Sequence, residues 1–243
     1  GGRGVNAPPA VASASWRDRP ALAHTVPFVA WLGLMLVSKA LPFTPPQAYA
    51  CRALAVLGLL ALLRPWRWYD RLALRQLPLS LAVGVGVFVL WVVPEAFGHD
   101  AMLADLYSRW LILPFGRVPT PQSGLQFSPE RCGWALTTVR ILGSGLVIAV
   151  AEEYFWRGFL YRWLVSRDFL SVKLSLRDAE ATAWMTILFA AEHHRLFAAA
   201  LAGLAYLELM RRTRSLHTAV LAHVVTNLLL GIYVVVTRSY QFW

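Results

Sequence analysis

An all-α integral-membrane fold follows from three features of the sequence. Of its 243 residues 58% are hydrophobic and only 15% charged, at a mean hydropathy of +0.52; soluble domains carry about 25% charged residues. Most of the apolar residues gather in runs of roughly 14–21, and one run is longer; about 20 residues cross a bilayer core of about 30 Å as a helix. The cations cluster between those runs, where membrane topology places them. The expected architecture is a polytopic transmembrane bundle of about seven to eight helices, since only helices and closed barrels satisfy their backbone in lipid.

The elements follow in chain order. Residues 1–20 read as a disordered tail; 1–15 are rich in Gly, Pro, Ala and Ser and hold no apolar core before a cleavage site. Residues 21–243 read as one membrane domain. A first span is expected over 26–41, closed by Pro42, Pro45 and Pro46, and a second over 48–63. The basic run Arg64, Arg67, Arg71, Arg75, interleaved with Trp66, Trp68 and Tyr69, reads as a membrane-interface belt. A third span covers 77–93. Its Gly84 and Gly86 form a lone GxG with no strand before it, so they read as helix-packing contacts. Residues 97–133 are polar enough to leave the membrane, with an amphipathic piece over 103–113 expected to lie flat on the surface. A long helix over 134–167, a basic loop over 167–177, and helices over 179–193, 197–210 and 216–236 complete the chain.

The net charge of +10 belongs to this topology, and nucleic acid is not an expected partner. With the N-terminus inside, most of the 23 Lys and Arg face inward, which predicts a cytoplasmic N-terminus. Cys51 and Cys132 lie far apart and outside any CxxC, so two free thiols are expected and no metal site follows from them. His24 and His99 are assigned to loops, and His217 to the inner surface.

The polar residues inside the apolar helices carry the chemistry. Ionisable groups at bilayer depth are costly and mark functional sites. Glu152, Glu153 and Arg157 fall within six residues of the fourth helix. Glu153 and Arg157 are four apart and can pair, while Glu152 lies about 100° round the helix and is free to face a cavity. His193 closes the fifth helix; a helix continued beyond it turns His194 about 100° away, which leaves Glu192 and His194 to supporting or interfacial roles. His223 and Asn227, four apart, share a face of the last helix. At about 1.5 Å per residue, Glu152 and His193 reach similar depth, some 21–22 Å from the inner side. If these helices are neighbours, a carboxylate beside an imidazole can take a proton from water. An imidazole N–H with an amide N–H can hold an oxyanion. No Ser or Cys accompanies them, so a water nucleophile is favoured and the reaction class is amide or ester hydrolysis.

These residues fall into three ordered motifs: Glu152-Glu153-Tyr-Phe-Trp-Arg157 (EExxxR), Phe189-Ala-Ala-Glu-His193 (FxxxH) and His223-Val-Val-Thr-Asn227 (HxxxN). In this order on successive helices they resemble the CPBP family of intramembrane glutamic endopeptidases, which includes the CAAX prenyl proteases. The segment 212–216 is also similar to the family's pattern, with Arg214 where Gly is commoner. The run Glu192-His193-His194 and the terminal Tyr240-Gln241-Phe242-Trp243 look like the CAAX protease-related branch associated with exosortase sorting systems. The core resemblance covers about 134–236.

The resemblance implies that Glu152 activates water with His193, that His223 and Asn227 form the oxyanion hole, and that Glu153 and Arg157 shape the site. It implies cleavage near the C-terminus of a membrane-attached protein and no cofactor. Two alternatives stay open. Two Glu and two His could bind zinc, although HExxH is absent. A non-catalytic membrane scaffold for a sorting system would keep the helices without needing the four polar groups.

Overall fold

The computed structural model describes residues 19–96 and 119–243. All but the last two residues of the expected tail, the surface piece over 103–113 and His99 lie outside the described residues. Seven principal helices make the bundle: α1 Pro20–Val37, α2 Pro45–Leu63, α3 Leu77–Ala96, α4 Pro129–Val165, α5 Ala179–Ala191, α6 Leu196–Thr213 and α7 Leu216–Thr237. An extra helical turn, Pro121–Gly124, precedes α4. The described residues contain no strand.

Five helices are long and apolar enough to cross a membrane: α1, α2, α3, α4 and α7. The protein is an integral membrane protein. With 13 residues α5 extends only about 20 Å, short of a bilayer core. It therefore ends within the bundle, where non-helical backbone is tolerated only beside protein or a wet cavity.

Several boundaries differ from expectation, for local reasons. Prolines start α1 and α2 instead of ending their neighbours: Pro20 occupies the first position of α1, and Pro45 and Pro46 open α2. Proline lacks an N–H that those positions do not use. Gln47 reaches back to accept the Thr44 N–H at 3.0 Å. His24 is consequently a fully buried residue of α1, not of a loop. Its Nδ1 meets Pro20 O at 2.6 Å, so Nδ1 carries the proton and Nε2 accepts from the Tyr69 hydroxyl at 2.8 Å. Burial pushes the Tyr69 hydroxyl's pKa up, against the opposing pull of Arg162, which keeps that proton in place. Tyr69, read as an interface residue, thus pins its loop to α1 and α4.

The helix α7 lies at the centre, packed on α3, α4 and α6. Small residues allow the close approach. A Cβ on Gly84 would fall 2.6 Å from Ala222 O, whereas Gly86 faces open space and is not a packing contact. The Thr226 hydroxyl sits 2.8 Å from Gly84 O and accepts from Tyr206 at 2.7 Å, joining α3, α6 and α7. Arg162 and Arg211 hold the loop between α4 and α5, donating to the carbonyls of Leu170, Val172 and Leu176. Cys51 and Cys132 are free.

Three helices end on an arginine in the left-handed conformation: Arg64, Arg214 and Arg238. Arg214, at φ +56°, stands where the resembled family favours Gly, and the backbone gives the reason: Gly adopts that conformation without the Cβ clash. Arg214→Gly is expected to raise stability by up to about 1 kcal/mol, read as a rise in the detergent-solubilised unfolding temperature.

Candidate active site

The 37 residues of α4 do not wind uniformly. Two π-helical stretches, Gly143–Ile148 and Tyr154–Leu160, flank a short α segment, Ala149–Glu153. Such segments recur at functional sites because the extra residue per turn re-aims side chains. Here they bracket the two carboxylates.

Glu153 and Arg157 form the expected pair, Nη1 to Oε1 at 2.8 Å, with both side chains fully buried. Arg157 also donates to Gly203 O at 3.0 Å and lies over the Phe189 ring at 4.3 Å. The same Glu153 oxygen meets His223 Nδ1 at 2.9 Å. The other face of His223 reaches the free carboxylate: Nε2 lies 3.7 Å from Glu152 Oε2. Tyr206 stacks on the His223 ring at 4.9 Å and fixes its plane.

His193 lies beyond the end of α5, which closes at Ala191 with Glu192 as its cap. Its Nδ1 approaches Phe189 O at 2.7 Å, so Nδ1 is the protonated nitrogen and Nε2 keeps a lone pair. The Phe189 ring wedges between Arg157 and the imidazoles, 4.7 Å from His193 and 6.3 Å from His223. That contact gives the Phe of FxxxH a physical role. Asn227 Nδ2 donates to Ser144 O at 3.0 Å, which leaves the second amide hydrogen free.

Glu152, His193, His223 and Asn227 all line one cavity of ≈ 330 Å³. Glu152, Glu192 and His193 can each turn a ligand atom to a common point, with those atoms within 4.8 Å of one another. One water bridges such a gap with two ordinary hydrogen bonds. The helical-wheel placement of His194 does not hold. The chain leaves the helix before it, and Glu192 and His194 both line the same cavity as His193. Glu192 accepts from Trp156 Nε1 at 2.9 Å.

Sequence reasoning missed Tyr206, Trp156 and Ser144 as supports. Tyr206 and Ser144 lie on apolar stretches, and the partner of Trp156, Glu192, is 36 positions away. Only the exposure of a polar tip within a buried ring, common to Tyr and Trp, hinted at a partner.

The arrangement defines a class: a membrane-embedded helical bundle around a cavity lined by carboxylates and imidazoles. Residues 134–229 match the family model described as Type II CAAX prenyl endopeptidase Rce1-like. The match covers 96 of the 243 residues, and the domain it marks is that of a CAAX endopeptidase family, a hydrolase family. The matched segment contains all seven defining residues of the three motifs, of which Glu152, Phe189, His193, His223 and Asn227 line the cavity. No curated protein matches the chain. No solved structure matches it.

Proposed function

We propose that the protein is an intramembrane endopeptidase that cuts a peptide bond near the C-terminus of a membrane-attached protein, using water held between Glu152 and His193. The observation that carries this reading is the approach of Glu152 to His193 within 4.8 Å inside the cavity that also holds His223 and Asn227. The water gives one proton to this pair as its oxygen attacks the scissile carbonyl. The free Asn227 amide hydrogen and His223 Nε2 face the oxygen that becomes negative. The proton then passes to the amine nitrogen as the C–N bond breaks.

Charge balance supports His223 as a donor. Glu153 pairs with Arg157 and accepts from His223 Nδ1 at 2.9 Å. With one further proton shared between His223 Nε2 and Glu152, 3.7 Å apart, the four groups sum to zero charge, the arrangement least penalised in lipid. Glu153 and Arg157 act as positioning residues through His223. The cations between spans favour a cytoplasmic N-terminus. The Glu192-His193-His194 run and the 240–243 segment favour the exosortase-associated branch.

Asn227→Ala is expected to lower kcat by about 10²–10³-fold with little change in KM; an equal rise in KM with kcat intact would contradict the oxyanion role. A zinc-dependent reading is favoured by one observation, the convergence of Glu152, Glu192 and His193. Steady-state cleavage of a membrane-anchored peptide should be unchanged by chelator. Loss of activity restored by added zinc would transfer the chemistry to a metal.

A further inference from the structure

The cavity has a second, basic end. Arg140, Ser144, Ile148 and Glu152 recur every four residues along α4 and all line it, so the cavity runs along this helix from Glu152 to Arg140. Arg140 is half-buried beside an aromatic cage, its guanidinium 4.4 Å from the Tyr49 ring centre, 4.9 Å from Phe127 and 5.9 Å from Trp243. Arg52 lies behind it, over Trp31 at 4.1 Å and Tyr49 at 5.3 Å. Both carry a buried Nε with no hydrogen-bond partner. Neither forms an ion pair among the described residues. The other arginine of the cavity, Arg195, is already neutralised by Glu95 through two hydrogen bonds of 2.5 and 2.9 Å. Two unneutralised guanidiniums within a lipid-embedded bundle are costly and call for an anion supplied from outside the chain.

We propose that Arg140, backed by Arg52, is a carboxylate-binding subsite that holds the α-carboxylate at the substrate's C-terminal end. This rests on the peptidase reading above and sets where the bond is cut. Arg140 precedes Glu152 by twelve positions, at most about 18 Å along the helix. An extended peptide spans that distance in about five residues, and the guanidinium arm shortens it further. The substrate therefore lies along the stripe 140–144–148–152 with no more than about five residues beyond the scissile bond. A carboxylate is the anion that suits a half-buried, fork-shaped donor between aromatic faces.

The test uses the full chain in detergent with Glu152→Gln, so that binding is read without turnover. The probes are an N-acetylated apolar pentapeptide with a free C-terminal carboxylate and the same peptide as its C-terminal amide. The acid should bind about 10- to 100-fold more tightly than the amide. Adding Arg140→Gln should bring the acid down to the amide's affinity. Arg140→Lys, which keeps the charge and loses the fork, should retain part of the preference. Equal affinities, or no binding of either peptide, would overturn the subsite, and so would a preference that survives Arg140→Gln. Acid and amide binding alike while Arg140→Gln releases a co-purified anionic phospholipid would assign the cations to lipid phosphate instead. Hydrolysis by the wild-type chain without carboxylate preference would overturn the subsite alone. An Arg140-dependent preference in a chain that never hydrolyses would overturn the peptidase reading alone.

Discussion

Glu152→Gln is expected to lower kcat for peptide hydrolysis by about 10²–10⁴-fold with the unfolding temperature unchanged. Glutamine keeps the shape and one acceptor oxygen but cannot take a proton from water. Stability should hold because Glu152 makes no close bond in the free chain; its nearest imidazole nitrogen is 3.7 Å away. His193→Ala should have an effect of similar size, and the double variant little more than either alone, because the two act on one water. The predictions separate the readings. A Glu152→Gln chain that retains its full cellular phenotype supports a scaffold. One that loses both activity and thermal stability points to a structural network.

Arg157→Leu should act in the opposite way, through folding. It removes the partner of a fully buried Glu153 and the donor to Gly203 O. Stranding a buried charge costs about 3–5 kcal/mol, so the expected result is poor expression and an unfolding temperature lower by roughly ten degrees or more. The double variant Glu153→Leu/Arg157→Leu should recover much of that stability, since replacing both members of a buried pair is often neutral. It should not recover activity, because His223 Nδ1 then lacks the carboxylate at 2.9 Å that orients it. Normal stability of Arg157→Leu would show that the pair contributes little to the fold.

Much of this arrangement was legible from spacing. Runs of apolar residues predict the helices, because in lipid nothing else satisfies the backbone. The i,i+4 relation predicts the Glu153–Arg157 pair, and equal depth on antiparallel helices lets Glu152 meet His193 once the helices are neighbours, which spacing alone does not establish. What was hidden has physical causes. A proline at the first helical position reads like a helix breaker, so α1 and α2 began too late and His24 fell into a loop. Winding changes inside α4 leave no compositional trace. The end of α5 at Ala191 depends on Phe189 O being taken by the His193 ring, a local bond that hydropathy does not register; the helical wheel therefore misplaced His194. The Arg162 and Tyr69 contacts join segments 93 positions apart, and periodicity is blind to such pairs. Gly84 and Gly86 look alike in sequence, yet only Gly84 meets another helix.

The central claim is that Glu152 drives removal of a C-terminal segment from membrane-attached proteins. Mass-spectrometric comparison of membrane-protein C-termini in cells carrying the wild-type chain or Glu152→Gln tests it most directly. A defined set of proteins should end a few residues earlier with the wild type and keep those residues with the variant; identical C-termini in both, at equal expression, would contradict it.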